Sequence, residues 1–69
     1  MSKITEEQKN RYIGYVHDEL KRRGVEESDI PRVIGKTGFM ACMEEYPEQQ
    51  MHYDPADAVD EILVTAAVS

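Results

Sequence analysis

The stretch MHYDPADAVDEIL, residues 51–63, carries the strongest local signal in the chain, because it combines several features of a helix start. The Asp54 side chain can accept hydrogen bonds from the free N–H groups of a first turn, and Pro55 has no N–H to leave unbonded there. Asp57 places negative charge at the positive end of the helix dipole. The stretch therefore predicts a helix that begins after Asp54, and helix initiation alone accounts for Asp54 and Asp57.

This closing helix has one apolar face and one acidic face. Its apolar positions at helical spacing are Ala58, Val59, Ile62, Leu63 and Ala66. Its opposite face carries Asp57, Asp60 and Glu61. We expect the apolar face to enter a core and the acidic face to meet solvent or a partner. The small apolar residues after Leu63 either extend the helix or fray.

A first helix is predicted near the start of the chain. Thr5 and Gln8 have the spacing of a capping box, and Gly24 supplies the left-handed residue that often follows a last turn. The apolar stripe of this helix consists of Tyr12, Ile13, Val16 and Leu20. Side chains four residues apart predict two ion pairs, Asp18 with Arg22 and Glu19 with Arg23.

A second, shorter helix is predicted after a brief connection. Ser28 is a suitable cap, and Pro31 lies in the first turn, where its missing N–H costs nothing. The apolar side of this helix consists of Ile30, Val33 and Ile34. Residues 35–38 contain two glycines and predict a break.

A third helix is predicted over residues 38–46, with Thr37 as its cap and Pro47 as its end. Its apolar face consists of Phe39, Cys42, Met43 and Tyr46, and Met40 widens it. We expect the Cys42 thiol to be buried on this face. Residues 47–53 are either a further helical turn or a loop.

These segments predict one all-α domain over residues 1–69, a small three- to four-helix bundle or an orthogonal helical array. No segment alternates between apolar and polar residues as a strand does. A chain of 69 residues buries only about 60% of its unfolded surface, so it has few apolar residues to spare for a deep catalytic pocket. Binding on a surface is the more natural function.

Charge is divided unevenly along the chain. Residues 1–40 contain all eight Lys and Arg with seven Asp and Glu, whereas residues 41–69 contain seven Asp and Glu and no Lys or Arg. Such a field attracts basic partners and repels phosphates and anionic membranes. The single cysteine, Cys42, excludes an internal disulfide and fits a reducing cytoplasm, and no apolar run is long enough to span a bilayer. We expect a cytoplasmic protein without a membrane segment.

Two segments partly match motifs that bind phosphate or DNA. Gly35-Lys36-Thr37 matches the end of a phosphate-binding loop, but the position five residues before Gly35 is Ile30 rather than glycine. Residues 30–46 also fit the outline of a helix-turn-helix, whose second helix would read DNA. That helix contains Glu44 and Glu45 and no Lys or Arg, so its charge argues against direct nucleic-acid binding.

No residue pattern indicates a metal, a cofactor or catalysis. His17, Cys42 and His52 lack the paired spacing of metal ligands, and the acidic residues around Asp54 and Asp57 lack the spacing of a calcium loop. Nucleophilic catalysis needs a base beside the nucleophile, and the sequence gives no local evidence of one. We therefore expect no cofactor, no metal site and no enzymatic activity.

The order of features, a capped tyrosine-containing helix, a glycine turn, then Tyr46, His52 and the closing helix of Asp57 to Ile62, resembles small helical bacterial proteins of uncharacterised function. The resemblance extends over most of the chain without a specific motif. It implies an accessory or regulatory protein, and it assigns no functional residue.

The sequence thus predicts an acidic protein-interaction module that binds a basic protein surface. The predicted partner-binding residues are Glu44, Glu45, Tyr46, Glu48, Tyr53, Asp57, Asp60 and Glu61. Amphipathic tyrosines beside carboxylates suit a protein interface. The alternatives are a nucleic-acid mimic that inhibits a nucleic-acid-binding enzyme, and a helix-turn-helix-like DNA-binding regulator. A homo-oligomer formed through the apolar tail, residues 64–68, is a further expectation.

Overall fold

The computed structural model describes residues 4–68, and helices make up most of that part of the chain, with no strand in it. The elements are α1 Glu6–Arg22, a 3-10 turn Glu27–Asp29, α2 Ile30–Thr37, α3 Phe39–Glu45, α4 Pro47–Met51 and α5 Pro55–Val68. The all-α prediction is confirmed. The count of three to four helices is wrong, because Pro47–Met51 forms a helix of its own between α3 and α5.

Both ends of α1 follow the local sequence signals. The Thr5 hydroxyl accepts from the Gln8 N–H at 3.1 Å, and the Thr5 N–H donates to the Gln8 side chain at 3.0 Å, which completes the predicted capping box. At the other end Gly24 has φ 98°, and the Val25 N–H donates to the Leu20 carbonyl at 3.0 Å. This left-handed turn satisfies a carbonyl of the last helical turn and stops the helix.

Two predicted helix caps are wrong. Ser28 lies inside the 3-10 turn, so α2 begins after Asp29 instead. Thr37 is the last residue of α2, and its hydroxyl donates to the Ile34 carbonyl at 3.1 Å rather than capping α3. Gly38 alone forms the junction, since its left-handed backbone ends α2 and α3 begins at the next residue.

The core lies where α5 packs across α1 and α2, with α3 closing one side. The buried side chains are Tyr12, Val16, Leu20, Ile30, Ile34, Phe39, Met43, Ala58, Val59 and Ile62. Ile13, Val33 and Leu63 are only partly buried. The prediction that Cys42 is buried is wrong. Phe39 and Met43, four residues apart, occupy the inward face of α3, and Cys42 lies at its edge.

Gly38→Ala should destabilise the domain by about 1–2 kcal/mol, because φ 74° at the α2–α3 junction forces a Cβ into the left-handed region. Gly35→Ala is the matched control. Gly35 lies inside α2, and a Cβ there meets nothing within 4 Å, so helix propensity should raise stability by about 0.5–1 kcal/mol. Urea unfolding followed by circular dichroism measures both. Equal effects at the two glycines would contradict the assigned role of Gly38.

Candidate protein-binding site

One buried side chain fixes the end of α4 and the residues that follow it, residues 50–53, which we call the α4–α5 segment. The Tyr12 hydroxyl on α1 lies 3.0 Å from the Gln50 carbonyl and 2.9 Å from the Tyr53 carbonyl, and the single hydroxyl proton is shared between these two acceptors. The Tyr12 ring stacks on Phe39 with ring centroids 6.4 Å apart. The short α4 and the residues after it are therefore held against α1 from inside the fold.

The environment of Tyr12 keeps its hydroxyl protonated. Burial raises the pKa of Tyr12 above its ordinary value of 10.0. The hydrogen bond with Gln50 opposes this in part, and the negative charges of Asp54 and Asp57 add to the rise in pKa. The neutral phenol can donate a hydrogen bond, whereas a phenolate cannot. The bonds to the α4–α5 segment are accordingly retained throughout the neutral pH range.

An open groove of about 630 Å³ lies along α4 and is lined in part by this fixed segment. It is lined by Cys42, Tyr46, Glu48, Gln49, Gln50, His52 and Tyr53. Tyr46 and Tyr53 are each 57% exposed, although they are among the largest side chains of the protein. None of these described lining residues is Lys or Arg.

A second groove, of about 320 Å³, continues from the first onto α5. The two share Cys42, Gln50 and Tyr53 as lining residues. The second is also lined by Thr37, Phe39, Ala58, Glu61, Ile62 and Thr65, so its walls mix core side chains with one carboxylate. We call the two together the tyrosine groove.

A third concavity extends the acidic surroundings beyond Tyr46. Glu45 lines it together with Ile4 and Pro47, and it shares Tyr46, Glu48 and Gln49 with the tyrosine groove. Five of the predicted partner-binding residues therefore lie on one connected surface: Glu45, Tyr46, Glu48, Tyr53 and Glu61.

The other three predicted residues line none of these grooves. Glu44 lies near α1, where its charge adds to that of Glu6 in raising the pKa of Lys9. The charge of Asp57 helps to raise the pKa of Tyr12. Asp60 forms an ion pair with Arg23, with 2.7 Å between Nη1 and Oδ1.

Although residues 41–69 contain no Lys or Arg, the Asp60 pair shows that a basic residue from the first part of the chain neutralises one of their carboxylates. Arg23 follows the last turn of α1 and reaches across to α5, where it also donates to the Ala56 carbonyl at 3.3 Å. Glu19 holds the same guanidinium at 2.9 Å, as predicted, and it also binds Arg22 at 3.2 Å. The predicted pair of Asp18 with Arg22 is therefore replaced by Glu19 with Arg22.

Several groove residues were not predicted as partner-binding. Gln49, Gln50 and His52 belong to the segment whose structure the sequence left open, and Cys42 was assigned to the core. For Cys42 a signal existed: it lies three residues after Phe39 and one before Met43, which places it at the margin of the apolar stripe. For Gln50 the decisive contact is the distant Tyr12 hydroxyl, which leaves no local sequence signal.

The described residues contain no cluster of three or more His, Cys, Asp or Glu that could hold a metal ion. Among the helices within residues 4–68, none is both long and apolar enough to cross a bilayer. Comparison with family models, with curated proteins and with solved structures finds no match. The function is therefore argued from the groove itself.

Proposed function

We propose that the protein is a non-enzymatic interaction module, accessory or regulatory in role, that binds a basic segment of another protein in the tyrosine groove. The observation that carries the proposal is the exposure of Tyr46 and Tyr53, each 57%, in a groove whose described lining residues include two carboxylates and no Lys or Arg. Exposed tyrosines in a concave surface are typical of interface anchors.

Tyrosine suits this use because its ring is apolar and its hydroxyl is polar. A ring with few rotatable bonds loses little conformational entropy when a partner covers it. The hydroxyl can exchange its bond to water for one to the partner's backbone. Tyr46 and Tyr53 can thus be covered without leaving a buried polar atom unbonded.

The negative charge around the groove favours a positively charged partner. Glu45, Glu48 and Glu61 line the connected concavities, and residues 41–69 contain no Lys or Arg. A basic segment is attracted to such a surface and an acidic one is repelled. The attraction raises the association rate, and added salt weakens it.

The same features disfavour the two alternatives. The exposed side chains of α3 include Met40, Glu44 and Glu45 and offer no cation for DNA phosphates. A nucleic-acid mimic needs carboxylates that follow a phosphate row, whereas Asp60 is paired with Arg23 and Asp57 lies near Tyr12. A groove that binds a basic peptide is the better account of these positions.

Charge reversal should weaken binding without unfolding the domain. The double variant Glu45→Lys with Glu61→Lys should bind a basic peptide roughly tenfold more weakly at low salt, because two attractive pairs become repulsive. The matched control is Asp18→Lys with Glu26→Lys, which changes the net charge equally at exposed positions outside the grooves. Fluorescence anisotropy at several salt concentrations measures both. Equal weakening by the two double variants would refute a localised site.

A further inference from the structure

Resting on the proposed function, we propose that the anchor of the basic partner is an arginine side chain, whose guanidinium lies against the rings of Tyr46 and Tyr53 in the larger part of the tyrosine groove. The proposal names the group that the groove recognises. Attraction by net charge alone would not distinguish arginine from lysine, whereas this proposal does.

The lining of the larger part suits a cation. The lining residues include Tyr46 and Tyr53, whose ring faces are negative, and Gln49 and Gln50, whose side chains carry amide acceptors. Glu48 also lines the space. Among residues 4–68, none of the side chains that line the space belongs to Lys or Arg.

The open shape of the groove favours arginine over lysine. A guanidinium is planar, stacks on aromatic faces and is weakly hydrated, whereas an ammonium is a compact and strongly hydrated charge. In an open groove the lysine ammonium keeps much of its water and gains little from the rings. The guanidinium can stack on a ring and still direct its edge N–H groups at amide and carboxylate oxygens.

The space also has a suitable size. About 630 Å³ is more than one arginine side chain requires, so the neighbouring residues of an extended segment can follow it into the connected part beside Glu61. The groove is held in place before binding, because the Tyr12 hydroxyl fixes the carbonyls of Gln50 and Tyr53 from behind. A preformed groove reduces the ordering cost of binding.

The test compares two pools of short basic peptides that are identical except for a central Arg or a central Lys, each titrated against the full chain. We expect the Arg pool to bind about two- to fivefold more tightly, the range of a cation–π contact at an exposed site. For the double variant Tyr46→Leu with Tyr53→Leu, the affinity of the Arg pool should fall to that of the Lys pool. The affinity of the Lys pool should hardly change.

The variant is expected to fold, because both rings are largely exposed and the Tyr53 carbonyl that accepts from Tyr12 belongs to the backbone. Circular dichroism checks this, and the single variants Tyr46→Leu and Tyr53→Leu repeat the comparison with a smaller perturbation. Equal binding of both pools by the native chain overturns the arginine anchor and leaves the proposed function standing. Binding of neither pool overturns both.

Self-association gives a separate result. If sedimentation shows a dimer that the Tyr46→Leu and Tyr53→Leu substitutions make monomeric, the groove is occupied by a second copy, which overturns a separate arginine-bearing partner. A monomer at the titration concentration, combined with preference for the Arg pool, supports the proposal.

Discussion

Leu20→Ala lowers the free energy of unfolding by about 2–5 kcal/mol, which is among the largest effects we expect from truncating one side chain. Leu20 is fully buried in the last turn of α1 and belongs to the core that α1 shares with α5. Small domains are commonly stable by only about 5 kcal/mol, so the substitution removes a large part of the free energy that keeps the protein folded. Urea unfolding followed by circular dichroism measures it.

Val64→Ala is the control for this prediction. Val64 lies on α5 and is 61% exposed, so its truncation should change stability by less than about 0.5 kcal/mol. A Leu20→Ala protein with near-native stability would mean that α1 does not contribute its apolar stripe to the core. The described packing of α1 against α5 would then be contradicted.

Tyr12→Phe should lower the free energy of unfolding by about 1–2 kcal/mol, because two carbonyls in the part-buried α4–α5 segment lose their shared donor. The ring and its stacking on Phe39 remain, so the loss isolates the hydroxyl. Tyr15→Phe is the matched control, since the Tyr15 ring is 54% exposed. Equal stability of the Tyr12→Phe protein and the native chain would contradict the role given to this hydroxyl.

The alkaline limb of the stability profile tests the same hydroxyl. The pKa of Tyr12 is raised on folding, chiefly by burial, above the ordinary value of 10.0 that applies to the unfolded chain. The stabilisation from its neutral form is therefore complete below pH 10.0 and is lost as the pH rises through the folded-state pKa. The Tyr12→Phe protein should lose less stability than the native chain over that interval.

Local signals predicted the parts of the fold that are determined within a few residues. The capping box of Thr5 and Gln8, the stop at Gly24 and the helix start at Pro55 each depend on neighbours in sequence, and each is present. Ser28 and Thr37 were misassigned because capping residues are common and a 3-10 turn or a left-handed glycine can replace them.

Contacts between residues far apart in the chain could not be predicted from the sequence. The Tyr12 hydroxyl meets carbonyls 38 and 41 residues away, and Arg23 meets Asp60 across 37 residues. Helical periodicity places a residue on a face but does not say which other element packs there. The acidic residues were therefore grouped into one surface, and the fold divides them between the groove, α1 and Arg23.

Cys42 offers the most direct test of binding in the tyrosine groove. It is the only cysteine of the chain, it is exposed, and it lines both parts of the groove. Its rate of alkylation by a maleimide should fall severalfold when a saturating basic peptide is present at low salt, and high salt should restore the rate. An unchanged rate under conditions where anisotropy shows the peptide to be bound would place the binding site elsewhere.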